Sequence, residues 1–135
     1  MSRQTKAFRK GVKVSERHGA GDWVQERLSS LILVPLTLWG LWSGWALAGS
    51  GYDGALDWFR SPVNAGLLAV TLLVSVWHMN LGLTVIVDDY IHRPASRKLA
   101  VGAIGLLCLL LAAAGVFFIV RLALGSAPLP AGFGI

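Results

Sequence analysis

Few residues of this 135-residue chain could do chemistry, and most lie in one stretch, His78-Met79-Asn80-Leu81-Gly82-Leu83-Thr84-Val85-Ile86-Val87-Asp88-Asp89-Tyr90. The stretch closes a long apolar run, with a histidine inside it and an acid–tyrosine pair at its end. An ionisable group within a membrane-length helix is costly, so by default it marks a functional site. Eleven positions separate His78 from Asp89. At about 3.6 residues per turn, that is close to three turns, so both side chains project from one face, with Gly82 and Val85 between them. Three uses of His78 are open: a hydrogen bond to the backbone or hydroxyl of a neighbouring helix, a proton relay, or axial ligation of haem by neutral imidazole. Gly82, one turn along, leaves room for a flat macrocycle. His18 and His92 belong to the ends of the spans rather than their interior. A second protein ligand to such an iron would therefore come from another chain.

Tyr90 follows about 18 Å along the axis from His78 on a continuous helix. A phenol donates to a carbonyl oxygen, and a nearby carboxylate can orient it or move protons. A quinone headgroup offers two carbonyls and takes up two protons on reduction, which Tyr90 and Asp89 at a membrane boundary could serve. The alternative is a tyrosine anchor beside a solvated acid. Arg27, at the entrance of the first apolar run, either snorkels to lipid phosphate or pairs with an anion inside the protein, such as a cofactor carboxylate. Ser29 and Ser30 either bond back to helix carbonyls or face a polar ligand.

The elements that must position these groups are apolar spans. Hydrophobic residues make up 55% of the chain and charged residues 14%, the profile of an integral membrane protein of one domain. Spans of roughly residues 28–48, 63–87 and 99–124 are each long enough to cross a hydrocarbon core of about 30 Å. The expected fold is an all-α membrane protein of three transmembrane helices. It divides into a basic N-terminal segment (1–27), the helical anchor (28–124) and a loose tail (125–135) carrying Pro128 and Pro130. Asp22 could cap a helix starting at Trp23, after a mobile basic stretch. Gly40 and Gly44 allow close approach of another helix, and span three, with Gly102, Gly105 and Gly115, reads as a packing helix. Pro62 opens span two, and Pro94 stops the turn that follows it.

The formal charge of +5 is placed by topology rather than by a nucleic-acid site. Seven of the twelve Lys and Arg residues precede the first span, and Arg93, Arg97 and Lys98 lie between spans two and three. Short basic loops stay on the cytoplasmic side, which puts the N-terminus inside and the C-terminus on the outer, periplasmic side. Cys108 is the single cysteine, so the chain holds neither a disulfide nor an iron–sulfur cluster of its own.

The spacing His-x3-Gly-x6-Asp-Tyr, here His78, Gly82, Asp89 and Tyr90, resembles the D-type hydrophobic membrane anchor subunit of succinate dehydrogenase, respiratory complex II. Pro94 and Arg97 resemble that family's inner turn, and Asp22 and Arg27 match its Asp-x4-Arg before the first helix. Gly21 stands where some members carry histidine, so no role is carried over to it. The resemblance implies that His78 is one axial ligand of haem b, shared with a companion C-type anchor subunit that completes the helical bundle. It implies that Tyr90 donates to a quinone carbonyl, ubiquinone or another quinone, with Asp89 in support. Arg27 would pair with a haem propionate or lie near the quinone. The flavoprotein and iron–sulfur subunits would dock on the cytoplasmic face of the bacterial inner membrane. This chain would then be a subunit of the enzyme that does not itself oxidise succinate. A fumarate reductase anchor and a non-redox three-helix assembly or transport subunit remain as alternatives.

Overall fold

The structure, a computed structural model, describes the backbone of residues 2–125 and the side chains of residues 20–125. Four helices follow one another: α1 (Ser2–Ala48), α2 (Gly51–Arg60), α3 (Pro62–Tyr90) and α4 (Pro94–Ala123). Three stretches are long and apolar enough to cross a membrane: Ala20–Ala48 within α1, and the whole of α3 and α4. The architecture is thus all-helical, as the spans imply. The expected tail with Pro128 and Pro130 falls outside the described residues.

Each boundary has a local cause. Proline has no N–H to lose at a helix's first turn, and its fixed φ suits that position. Pro62 opens α3 and Pro94 opens α4 in this way. Pro94 therefore stops the turn by starting the third span, and the turn is no more than Ile91–Arg93. Between α1 and α2 the chain reverses through Gly51, whose φ of +69° lies in the left-handed region that side chains avoid. The segment between the first two spans is itself the short helix α2. Its Trp58 stacks on Trp39 of α1, with ring centroids 5.8 Å apart, and its carbonyl accepts from Asn64 Nδ2 of α3 at 3.2 Å.

One expectation is corrected. No helix begins at Trp23, because α1 runs unbroken from Ser2 through Asp22. Asp22 therefore caps nothing, and the backbone is helical from Ser2 on. Glu, Gln, Arg and Lys are good helix formers, so a polar stretch that feeds an apolar span has little reason to break before it.

Helix α3 is the middle of the assembly. It packs on α1 along one side and on α4 along another, whereas among the described residues α1 and α4 do not pack against each other. The result is a layer of three long helices. Its sparse interior consists of Ala65 and Val87 of α3, Cys108 and Ile119 of α4, and the hydroxyls of Ser29 and Ser43 of α1. Leu72 of α3 lies against Gly115 of α4, where a Cβ would collide with the leucine's methyl groups. At Gly40, Gly44, Gly102 and Gly105 an added Cβ would meet nothing. The close approach expected along Gly40 and Gly44 is therefore not made within this chain.

Candidate functional site

His78 lies where α3 meets α1. Its Nδ1 is 2.9 Å from Ser29 Oγ, and that hydroxyl is also 3.0 Å from the Glu26 carbonyl oxygen one turn earlier in α1. Ser29 is completely buried, at 0% exposure. In a helix, a serine hydroxyl readily reaches the carbonyl three or four residues back, which holds the side chain in one rotamer. Ser30 does the same from the neighbouring position, donating to Glu26 O at 2.5 Å. Both bond back to the helix, and Ser29 also faces a polar group, the imidazole.

Beyond this bond His78 opens onto a groove of about 370 Å³ between α1 and α3. Leu33, Val34 and Leu38 line it, together with the hydroxyls of Ser30 and Thr37. Among the described residues, His78 Nε2 has no hydrogen-bond partner. On the same face of α3, one turn towards Tyr90, a Cβ added at Gly82 would meet nothing. The surroundings of His78 are therefore open, largely apolar and supplied with one uncommitted ring nitrogen. They fit a flat, largely apolar group held by an imidazole.

Arg27 stands at the same level. It is two residues from Ser29, about 3 Å along the axis. Steps of three and four place it on one helix stripe with the groove-lining residues Ser30, Val34 and Leu38. Its guanidinium lies 5.0 Å from the Trp23 ring centroid, one turn back. It makes no ion pair among the described residues. Arg27 thus sits at the entrance of the first span, at about the axial level of Ser29 but exposed and directed to Trp23.

The far end of α3 is arranged differently. Asp88, which the sequence reading passed over, pairs with Arg97 across the turn. Arg97 Nε donates to one carboxylate oxygen and Nη2 to the other, the latter at 2.9 Å. This planar, two-point pairing ties the end of α3 to the first turn of α4. Asp89 makes no ion pair among the described residues, and Tyr90 is 80% exposed. The structure brings His78, Ser29 and Arg27 to one level, and leaves Asp89 and Tyr90 at the exposed end of α3, about 18 Å away. The signal that could have found Ser29 was a pair of small polar residues inside an apolar run. Nothing in one sequence, however, indicates which residue of α1 stands opposite His78. One further polar atom is unexplained: Asn80 Oδ1 is buried without a hydrogen-bond partner.

No solved structure matches the chain. Among curated proteins, the chain is 26% identical over 96 residues to a succinate dehydrogenase hydrophobic membrane anchor subunit of Rickettsia typhi, covering 71% of this chain and 77% of that one. The protein of the same description from Rickettsia felis is 24% identical over 111 residues, 81% of this chain and 91% of the relative. A succinate dehydrogenase membrane anchor subunit of Reclinomonas americana is 23% identical over 91 residues, 65% and 76% of the two chains. Together with the three apolar helices, these relatives mark a multi-pass membrane protein. A family model described as the succinate dehydrogenase/fumarate reductase transmembrane subunit matches residues 1–120, nearly the whole sequence. The chain belongs to that family, the membrane anchors of complex II.

Proposed function

We propose that this chain is the D-type anchor of a succinate:quinone oxidoreductase in a bacterial inner membrane, sharing a haem b at His78 and forming part of the quinone-reduction site at Tyr90. The observation that carries the reading is the state of His78: Nδ1 is held by a buried serine, while Nε2 is uncommitted and the ring borders an open apolar groove. Haem b would supply one-electron redox chemistry at that position. Within this chain, His78 would hold the iron on one side, and Arg27, at the same level, would meet a propionate. The companion C-type anchor would supply a further ligand to that iron and cover the groove.

At the α3 C-terminus, the Tyr90 hydroxyl would donate a hydrogen bond to a carbonyl of ubiquinone or another quinone. The carboxylate of Asp89 would orient that donor or pass protons from water. Since Arg97 is occupied by Asp88, Asp89 keeps its charge available for that task. Electrons would arrive from the iron–sulfur subunit, which would dock with the flavoprotein against the basic N-terminal segment (1–27) and the turn before α4. Succinate would be oxidised on the flavoprotein, and this chain would anchor the complex and help complete the quinone site.

The test is the reduced-minus-oxidised absorption spectrum of the complex purified through this chain. A b-type band that is lost or displaced in His78→Ala supports the reading. A complex without haem, or one whose band ignores the substitution, removes it.

A further inference from the structure

We infer that Ser29 is a positioning residue that selects the tautomer of His78, so that Nε2 carries the free lone pair. The inference rests on the haem reading above, and it follows from counting protons around a single buried hydroxyl. Ser29 Oγ has one proton to give and two lone pairs. It lies 3.0 Å from the Glu26 carbonyl oxygen and 2.9 Å from His78 Nδ1. The carbonyl can only accept. Were the serine proton turned towards Nδ1, the hydroxyl and carbonyl oxygens would face each other at 3.0 Å with no proton between them, at a serine that is fully buried. The Glu26 carbonyl also accepts from Ser30 Oγ, so what disfavours that arrangement is the repulsion of two facing lone pairs in a poorly screened place, not the loss of a partner.

The proton therefore points at Glu26, and Oγ accepts from Nδ1–H. The resulting chain runs from His78 Nδ1–H to Ser29 Oγ–H to the Glu26 carbonyl. A neutral imidazole carries one N–H, so Nε2 is left as the nitrogen able to bind a metal. The same bond fixes the ring plane against α1. A hydrogen bond accepted from the non-ligating nitrogen also raises the donor strength of the ligating one. Greater donor strength favours the oxidised iron, so Ser29 holds the haem midpoint potential down.

The experiment uses the assembled complex with Ser29→Ala, Ser29→Thr and Ser29→Cys, and reads the midpoint potential, haem content and electron paramagnetic resonance of the haem. Succinate oxidation with a soluble artificial acceptor reports assembly. In Ser29→Ala we expect a higher midpoint potential, altered g values and haem retention reduced by about 10-fold at limiting haem, the lower end for loss of such a partner. Threonine keeps a hydroxyl that can reach the same carbonyl, and should restore the wild-type potential. Should the alanine variant fail to assemble, Ser29→Cys serves in its place. It offers sulfur, a weak acceptor, and the same upward shift is expected. An unchanged potential and unchanged g values in assembled Ser29→Ala or Ser29→Cys overturn the role of Ser29, while a His78-dependent haem in the same preparations leaves the haem reading standing. Absence of a His78-dependent haem from the wild-type complex overturns both.

Discussion

His78 and Tyr90 carry most of the proposed chemistry, and they differ in how far this chain supports them. His78 is governed by Ser29, a residue 49 positions away. Tyr90 has no such support in this chain and is exposed, as a donor to an incoming headgroup must be until a partner or substrate covers it. Tyr90→Phe removes one hydrogen-bond donor, a loss of about 1.4 kcal/mol or tenfold. Quinone reduction should fall by about that factor while succinate oxidation by a soluble artificial acceptor is unchanged. Equal loss of both activities would mean failed assembly and would withdraw the quinone assignment. The Asp88–Arg97 pair is half exposed on both sides, so solvent screening keeps its contribution small. A double-mutant cycle of Asp88→Asn with Arg97→Gln, read by thermal denaturation, should give a small coupling energy that added salt weakens further. A much larger value would mean that the pair is buried in the complex.

The elements differ in how they use small residues. Glycine in a helix costs about 1 kcal/mol relative to alanine, so each should be kept only where space requires it. Among the described residues that requirement holds at Gly54, close to Ser50 Cβ one turn back, and at Gly115, where α4 passes against Leu72 of α3. Gly115→Ala forces Leu72 from its position, and overpacking of this kind costs about 1–3 kcal/mol. Gly102→Ala meets open space and should leave the isolated chain as stable or slightly more so. Unfolding of the two variants in detergent would separate them, and equal behaviour would contradict the close α3–α4 approach. Helix α2 has a different role: by stacking Trp58 on Trp39 and accepting from Asn64, it joins the end of α1 to the start of α3.

At the scale of the whole molecule, the three long helices form a layer in which α3 alone has neighbours on two sides. Large apolar side chains such as Leu31, Leu38, Trp42, Trp45, Leu99 and Phe117 are exposed, and only a handful of the described residues are buried. In a membrane, lipid can cover such a surface, because helix association there depends on packing and hydrogen bonds rather than on the removal of apolar groups from water. His78, with its open groove, is covered on the α1 side only. The chain expressed without a companion anchor should therefore enter the membrane yet retain little haem, and co-expression should restore the b-type band. Full haem retention by the solitary chain would argue against an intersubunit site.

The sequence by itself determined that this is a three-span helical membrane protein, because spanning a membrane requires about 20 consecutive apolar residues, and such runs cannot be hidden in a composition. It also determined that His78 and Asp89 share a face, since helical periodicity alone places them there. It did not reveal that the first helix begins at Ser2: hydropathy marks where a helix becomes apolar, not where its hydrogen bonding starts. Nor did it separate Asp88 from Asp89. Adjacent acids point about 100° apart on a helix, and the one that meets Arg97 depends on how the Ile91–Arg93 turn brings α4 back. The partner of His78 was decided by tertiary structure alone. The register of α1 against α3 is set by the packing between them, and that register places Ser29, rather than its neighbour Ser30, against Nδ1.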